Sequence, residues 1–282
     1  MMFEVVEKRE LAKDVYFYRI QAPAIASRRK AGQFVILRAH ERGERIPLTL
    51  VGSDVKEGTI TIVFQAVGRT TREFAALGEG DAFLDVVGPL GNPTHIERYG
   101  TVACVGGGIG IAPVLPIVAA MKEAGNRVIS ILGARTKDLL ILEDEVRAVS
   151  DETLVTTDDG SYGRKGFVTD VLGEILGRDS VDMTVAVGPP VMMRAVARLT
   201  KERQVRNMVS LNPIMIDGTG MCGGCRVTVG GKRRFVCVDG PEFDGHEVDF
   251  DELMKRLKVY EAAERVSLEH MGSCQLEKAK NP

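Results

Sequence analysis

Hydrophobic positions change their spacing twice along the chain. Up to about residue 95, short runs of β-branched and aromatic residues alternate with glycine-containing breaks, which predicts an antiparallel β-barrel or sandwich. The predicted strands cover residues 15–20, 33–38, 46–51, 59–65 and 82–87. One helix interrupts them, and we expect Thr70 to be its N-cap, with Glu73 completing a capping box.

The next stretch alternates predicted strands with predicted helices. Strands at 101–105, 128–132, 154–157 and 181–187 are each followed by a helical segment, ending near residues 124, 149, 176 and 202. Such alternation is typical of βαβ units and a parallel sheet. The expected fold class is therefore multidomain β and α/β. We expect an N-terminal β-barrel (residues 1–95), a central parallel-sheet nucleotide-binding domain (96–210) and a small C-terminal segment (211–282).

The C-terminal segment has few apolar runs before a final amphipathic stretch from residue 250 to about 263. That is too little apolar material for an independent core, so we expect an inorganic cluster to stabilise it. The whole chain, at 282 residues, is long enough for two or three domains.

Composition excludes several classes of function. A formal net charge of -2 provides no electrostatic reason to bind nucleic acid or an anionic membrane. No apolar run reaches the roughly 18 residues that a membrane span needs, and the N-terminus lacks a secretory pattern. Five cysteines without even spacing favour reduced thiols or a metal site in a cytoplasmic protein over disulfides.

The cysteines form the most specific motif. Asp217-x4-Cys222-x2-Cys225-x11-Cys237 has the spacing of a plant-type [2Fe–2S] site with aspartate at the first ligand position. Three interpretations of Asp217 stay open: it is the fourth ligand, it only begins the Asp-Gly-Thr-Gly turn, or Cys274 folds back as the ligand instead. Cys104 lies in a predicted buried strand, which favours an inert core thiol.

Three further motifs are candidate cofactor sites. The glycine turn at 106–110 follows a strand and precedes a helix, the context of a phosphate-binding turn, although a tight turn without a ligand fits equally well. Arg45-x-Pro47-Leu48-Thr49 would place an arginine able to bind phosphate on one strand face. A second glycine turn, from Gln65 to Thr70, opens the predicted helix.

The order of these motifs along the whole chain resembles the ferredoxin–NADP reductase superfamily. The added cysteine segment narrows the resemblance to the branch with the electron-transfer subunit of dihydroorotate dehydrogenase. The same branch holds the small (alpha) subunit of NADH-dependent reduced ferredoxin:NADP oxidoreductase, also called sulfide dehydrogenase beta subunit. In the dihydroorotate branch the cluster has four cysteines, whereas the resemblance to the second group implies that Asp217 is a ligand. Asp217 therefore favours the ferredoxin:NADP oxidoreductase group over the dihydroorotate dehydrogenase group.

The resemblance implies three cofactor sites. FAD would lie on the barrel, held by Arg45, Pro47, Leu48, Thr49, Gln65, Gly68, Arg69 and Thr70. NAD(H) would lie across the parallel sheet, held by Gly106, Gly107, Gly108, Gly110, Asp159, Gly160, Gly188 and Pro189. The [2Fe–2S] cluster would be bound by Asp217, Cys222, Cys225 and Cys237.

The expected function is electron transfer between NAD(H), FAD and the cluster. No substrate-specific acid, base or nucleophile stands out, so we expect no catalytic residue and a second substrate that is handled by a partner. The resemblance implies a heterodimer with a larger flavin and iron–sulfur subunit that uses NADPH and ferredoxin, in an enzyme that can be electron-bifurcating. It also favours NAD over NADP, although Arg135 and Lys137 would suit a 2′-phosphate.

Two alternatives remain. The chain can instead be the electron-transfer subunit of an NAD-dependent dihydroorotate dehydrogenase. A different class is a zinc-stabilised interaction protein without catalytic activity, because Cys-x2-Cys is also typical of zinc sites.

Overall fold

In the computed structural model, which describes residues 3–269, seven N-terminal strands form one antiparallel sheet. They are β1 (Phe3–Ala12), β2 (Val15–Gln21), β3 (Phe34–Arg38), β4 (Ile46–Asp54), β5 (Thr59–Gln65), β6 (Ala82–Phe83) and β7 (Asp85–Leu90). Their spatial order is β6-β1-β2-β5-β4-β3-β7, so the two outermost strands are separated in sequence by Leu84 alone. The sheet therefore curls into a nearly closed barrel, which confirms the predicted class.

The structure differs from the predicted barrel strands at two places. Strand β1 was not predicted, because only Val5 among its residues is buried and its many charged residues hide the β pattern. The single strand expected at 82–87 is divided at Leu84 into β6 and β7, which lie at opposite ends of the sheet order. Local strand propensity does not indicate this break, because the break is required only by closure of the barrel.

Two helices accompany the barrel, α1 (Pro23–Ala26) and α2 (Arg69–Ala76). The predicted N-cap of α2 was wrong: Gly68 occupies that position, and the Thr71 hydroxyl accepts a hydrogen bond from Gly68 N at 3.0 Å. Thr70 is buried two positions further on, where its hydroxyl donates to Glu44 Oε2 at 2.5 Å. A tertiary contact therefore takes the hydroxyl that a local cap would have used.

The remaining strands form a second sheet and a hairpin. They are β8 (Thr101–Gly107), β9 (Arg127–Ala134), β10 (Glu152–Thr157), β11 (Arg164–Lys165), β12 (Met183–Val187), β13 (Arg206–Ser210), β14 (Arg226–Val229), β15 (Lys232–Phe235) and β16 (Glu242–Asp244). The helices are α3 (Ile111–Glu123), α4 (Glu143–Ala148), α5 (Val168–Arg178), α6 (Pro190–Glu202), α7 (Val236–Asp239) and α8 (Phe250–Leu257). Within residues 3–269, no helix is both long and apolar enough to cross a membrane.

The second sheet reverses its direction of growth beside β8. Its spatial order is β11-β10-β9-β8-β12-β13-β16, with the first six strands parallel and β16 antiparallel at the edge. The chain therefore adds β9, β10 and β11 on one side of β8 and then returns to add β12 on the other side. In such sheets, ligands bind at the carboxyl ends of the strands where the order reverses. Gly107, the last residue of β8, lies at that point.

The C-terminal segment packs onto both sheets. Cys225, Val236 and Cys237 are buried in one hydrophobic cluster with Phe34 and Ile36 of the barrel strand β3. That cluster also includes buried residues of the second sheet and its helices. The segment thus shares the core of its neighbours, which compensates for the small apolar content noted in its sequence.

Glu242 lies where the edge strand β16 meets the barrel. The Thr94 hydroxyl donates to Glu242 Oε1 at 2.7 Å, and a side chain on Gly32 (φ +82°) would approach that carboxyl oxygen to 2.8 Å. Burial raises the pKa of Glu242 to about 7, although the hydrogen bond from Thr94 opposes the shift. The folded protein therefore favours the neutral acid here.

We predict that Glu242→Gln stabilises the protein relative to the wild type more at pH 8 than at pH 5. Between the ordinary carboxyl pKa of 4.5 and about 7, the folded state binds more protons, so wild-type stability falls as the pH rises through this range. The loss is at most about 3 kcal/mol, since one pKa unit corresponds to about 1.4 kcal/mol. Urea denaturation at the two pH values measures it. Glu247→Gln, at an exposed position nearby, is the control, and an equal effect of both substitutions would refute the assignment.

Candidate cofactor and cluster sites

The loop that follows β13 folds back on the carboxylate of Asp217. Asp217 Oδ2 accepts hydrogen bonds from the backbone N–H groups of Met221 (2.9 Å) and Cys222 (3.1 Å) and from the Thr219 hydroxyl (3.0 Å). Cys222 Sγ lies 3.3 Å from Asp217 Oδ1. The first and second predicted ligands are therefore in direct contact.

These contacts keep Asp217 ionised. Burial opposes ionisation, but the hydrogen bonds from Cys222 and Thr219 outweigh it and lower the pKa of Asp217 to about 2. The carboxylate is thus a charged oxygen donor at neutral pH, a state suited to a hard cation such as ferric iron.

The third and fourth predicted ligands form a second pair. Cys225 Sγ and Cys237 Sγ are 3.2 Å apart, and Cys237 N–H donates to Cys225 Sγ at 3.4 Å. Burial, together with the hydrogen bond and charge of Cys225, raises the pKa of Cys237 to about 12. A metal that binds here must therefore displace the thiol proton.

The donors are arranged as two pairs. Across residues 3–269, no three His, Cys, Asp or Glu side chains are placed to hold a single metal ion. Two pairs instead fit a two-iron cluster, in which four protein ligands are divided between the irons. The described donors, three thiols and one carboxylate, are compatible with such a cluster.

The cluster loop touches the barrel beside the predicted flavin strand. Arg45 Nε donates to the carbonyl of Ile216 at 3.1 Å. A side chain on Gly218 would lie 2.8 Å from both Ile36 Cγ1 and Leu90 Cδ1, so glycine allows the loop to approach the barrel wall. Ile36 pairs in register with Pro47 of β4. The loop thus contacts β3, the strand that pairs with β4, and Arg45, the residue that precedes β4.

The candidate FAD residues come from two neighbouring parts of the barrel. Pro47, Leu48 and Thr49 lie on β4 and are half-buried. The hydrogen bond from Thr70 to Glu44 connects the start of α2 to the residue before Arg45. The other candidates are nearby in sequence, with Gln65 ending β5, Gly68 capping α2, and Arg69 exposed at its first turn beside Glu73. The two predicted anion-binding segments therefore meet.

The candidate nucleotide turn lies at the point where the sheet order reverses. A side chain on Gly110 would lie 2.2 Å from the Val187 carbonyl at the end of β12, so the turn is packed directly against that strand. Gly106 and Gly107 end β8, and Gly188 and Pro189 follow β12. Gly108 has φ +56° and open space beside it. All of these residues are brought to one edge.

The loop after β10 is connected to the loop after β9. Asp159 N–H donates to the Arg135 carbonyl at 3.2 Å, and Asp159 Oδ1 accepts from the Ser161 backbone at 2.9 Å and hydroxyl at 2.7 Å. The same Ser161 hydroxyl accepts from Lys137 N–H at 2.9 Å. These Ser161 contacts lower the pKa of Asp159. Asp159 and Gly160 therefore share the carboxyl edge with the glycine turn, two strands away from it.

Sequence reasoning missed the role of Met192. Of the adjacent pair Met192 and Met193, only Met193 is buried in the core. Side chains on Gly107 and Gly188 would lie 2.3 Å from Met192 Sδ and 2.7 Å from its Cε, so Met192 covers the glycine turn. Its position directly after Gly188-Pro189-Pro190 is the sequence signal for this placement.

Three basic residues lie on the hairpin of the C-terminal segment. The run Lys232-Arg233-Arg234 lies on β15, and Gly230-Gly231 makes the hairpin turn before it. The glycines adopt φ of +57° and +71°, which lysine and arginine avoid. The three basic side chains are exposed.

Two parts of the chain match known domain families. Residues 104–198 match the oxidoreductase NAD-binding domain, and residues 212–249 match the iron–sulfur cluster binding domain of dihydroorotate dehydrogenase B. These matches confirm the expected NAD-binding and iron–sulfur regions.

Relatives that align with most of the chain support the same assignment. The chain is 53% identical to the dihydroorotate dehydrogenase B (NAD(+)) electron transfer subunit homolog of Thermotoga maritima, over 94% of both chains. It is 34% identical to the dihydroorotate dehydrogenase B (NAD(+)) electron transfer subunit of Bacillus cereus, over 86% of this chain and 96% of that one.

A solved structure of NADH-dependent reduced ferredoxin-NADP oxidoreductase, studied for flavin-based electron bifurcation, contains a chain that is 51% identical. It aligns with a TM-score of 0.92 over 96% of this chain and 98% of that one. The protein therefore belongs to the family of dihydroorotate dehydrogenase B electron-transfer subunits and their homologues, oxidoreductase subunits with an NAD-binding domain and an iron–sulfur domain.

Proposed function

We propose that the protein is the small subunit of an NADH-dependent ferredoxin:NADP oxidoreductase and passes electrons between NAD(H), FAD and a [2Fe–2S] cluster. The observation that carries the proposal is the contact of the cluster loop with the barrel. Arg45, a candidate for the flavin pyrophosphate, donates to Ile216, the residue before the first candidate ligand. Adjacent flavin and cluster sites suit transfer of single electrons between them.

The chain's own residues would divide the work between three sites. Arg45, Gly68, Arg69 and Thr70 would bind the FAD phosphates, with Pro47, Leu48 and Thr49 beside its ring and Gln65 close by. The glycine turn, Asp159, Gly160, Gly188 and Pro189 would orient NAD(H). Asp217 and Cys222 would hold one iron, and Cys225 and Cys237 the other. A bound FAD would supply two-electron chemistry toward the nicotinamide and one-electron chemistry toward the cluster.

The partner would dock over the cluster. Three apolar side chains around the loop are exposed, namely Met221 (89%), Ile216 (52%) and Val238 (42%). Large exposed apolar groups in one place indicate a protein–protein contact. We infer that a larger flavin and iron–sulfur subunit, which uses NADPH and ferredoxin, covers this surface in a cytoplasmic heterodimer.

The alternative of a dihydroorotate dehydrogenase subunit is not favoured. The bifurcating oxidoreductase chain is 51% identical, whereas the Bacillus cereus protein named as the dihydroorotate dehydrogenase subunit itself is 34% identical. The 53% identical Thermotoga maritima protein is named only as a homolog of that subunit. The ionised Asp217 against Cys222 also suits the group whose first ligand is aspartate. Co-purification separates these two functions, because each predicts a different large subunit.

Anaerobic EPR of the purified protein, reduced with NADH, tests the proposed function. We expect flavin and iron–sulfur absorbance, loss of flavin colour after NADH addition, and the signal of a reduced [2Fe–2S] cluster. A colourless protein with bound zinc would instead establish the zinc-stabilised interaction protein.

For Asp217→Cys, we predict that the cluster is retained with changed g-values and a changed midpoint potential. Carboxylate is a harder donor than thiolate and stabilises ferric over ferrous iron, so the aspartate-ligated cluster should be harder to reduce. EPR and redox titration measure both properties. Asp239→Cys, in the same segment but paired with Phe235 N–H, serves as the control. Unchanged g-values and potential in Asp217→Cys would show that Asp217 is not a ligand.

For Gly110→Ala, we predict loss of NADH-driven flavin reduction, because the new methyl group would collide with the Val187 carbonyl and displace the turn. Reduction by dithionite should persist, since dithionite reduces flavin and cluster without using the nucleotide site. Stopped-flow absorbance follows both reactions. Gly177→Ala, with nothing within 4 Å of the added methyl group, is the matched control and should behave as wild type. Normal NADH reduction in Gly110→Ala would contradict the assigned site.

A further inference from the structure

Arg256 connects helix α8 to the loop that carries the cluster ligands. Its Nη2 donates to the carbonyl of Gly224 at 2.9 Å. Gly224 lies between Cys222 and Cys225, and its N–H donates to Cys222 Sγ at 3.4 Å. Gly224 therefore connects the guanidinium to two candidate ligands, because it directly precedes Cys225 and is hydrogen-bonded to Cys222.

The charge of Arg256 is not neutralised within the part of the chain that the structure describes. Its Nε is buried and has no hydrogen-bond partner there, and no carboxylate forms an ion pair with it. Asp251, on the same helix, pairs with Arg194 instead at 2.9 Å. A half-buried cation without a counter-ion is costly unless an anion is near.

A second arginine provides an internal comparison. Arg226 Nη1 donates to the neighbouring carbonyl of Gly223 at 3.2 Å, but Arg226 is exposed, whereas Arg256 is half-buried. Water and salt screen an exposed charge far more than a half-buried one. The two arginines thus make similar hydrogen bonds to the same loop, but the charge of Arg256 is screened less than that of Arg226.

We propose that Arg256 is a positioning residue for the cluster loop that also raises the cluster's reduction potential. The inference rests on the proposed function, since it requires a cluster on Asp217, Cys222, Cys225 and Cys237. A cluster with four anionic ligands is negatively charged and gains one further negative charge on reduction. A fixed positive charge nearby favours the reduced form, and net charge and hydrogen bonding are known determinants of such potentials.

Redox titration of the intact protein, followed by EPR, tests the proposal. We expect Arg256→Gln and Arg256→Met to make cluster reduction about tenfold less favourable, which is about 59 mV for a one-electron couple. Arg256→Lys keeps the charge and should stay close to wild type. Lys255→Gln removes an exposed charge from the adjacent position of α8 and should leave the potential unchanged. Arg226→Gln should have a much smaller effect than Arg256→Gln.

The outcomes are decisive when cluster iron is measured in every variant. A lower potential in a neutral variant that retains its iron supports the proposal. A wild-type potential in such a variant, or loss of iron from both neutral variants, overturns it, because Arg256 would then have no electrostatic effect or only a structural one. Absence of a cluster from the wild-type protein would refute the proposed function itself and is thus distinguishable.

Discussion

The arrangement of the three candidate sites depends on the contact between the cluster loop and the barrel wall. Residues 216–218 lie against strands that are more than 100 positions earlier in the chain, through the Arg45 to Ile216 hydrogen bond and the close approach of Gly218 to Ile36. Electron transfer between a flavin and a cluster weakens steeply with separation, so this contact decides whether the two sites can work together. Ile36, Cys225 and Cys237 are buried in one hydrophobic cluster, which packs the cluster loop against the barrel.

A second constraint acts at the reversal point of the parallel sheet. Gly110 packs against the Val187 carbonyl, and Met192 covers Gly107 and Gly188. These glycines are thus required for packing whether or not a nucleotide binds. The glycine pattern left a plain tight turn and a phosphate site equally probable, and packing alone would not separate them. The position of the turn at the reversal of strand order, with the match of residues 104–198 to an NAD-binding domain, favours the nucleotide site.

The contacts around Asp217 allow one residue to organise the turn and to be a candidate ligand. As a turn residue it accepts hydrogen bonds from Thr219, Met221 and Cys222, which was one of the interpretations left open. The same hydrogen bonds keep the carboxylate charged and hold it against Cys222 Sγ. The turn and ligand interpretations are therefore compatible, since the turn presents the ligand. The rival ligand Cys274 lies outside the described residues.

The sequence by itself determined the fold class, most strands and helices, and the cysteine motif. These features depend on local periodicity and on short spacings, which can be read directly along the chain. It did not reveal β1, the division at Leu84 or the Gly68 cap, since each arises from a contact with a distant segment. Only the tertiary structure decided that the cluster loop meets the barrel, that Met192 covers the glycine turn and that Arg256 lies beside the candidate ligands. Such contacts join residues far apart in the chain, so packing of the whole molecule selects them, and local propensity cannot.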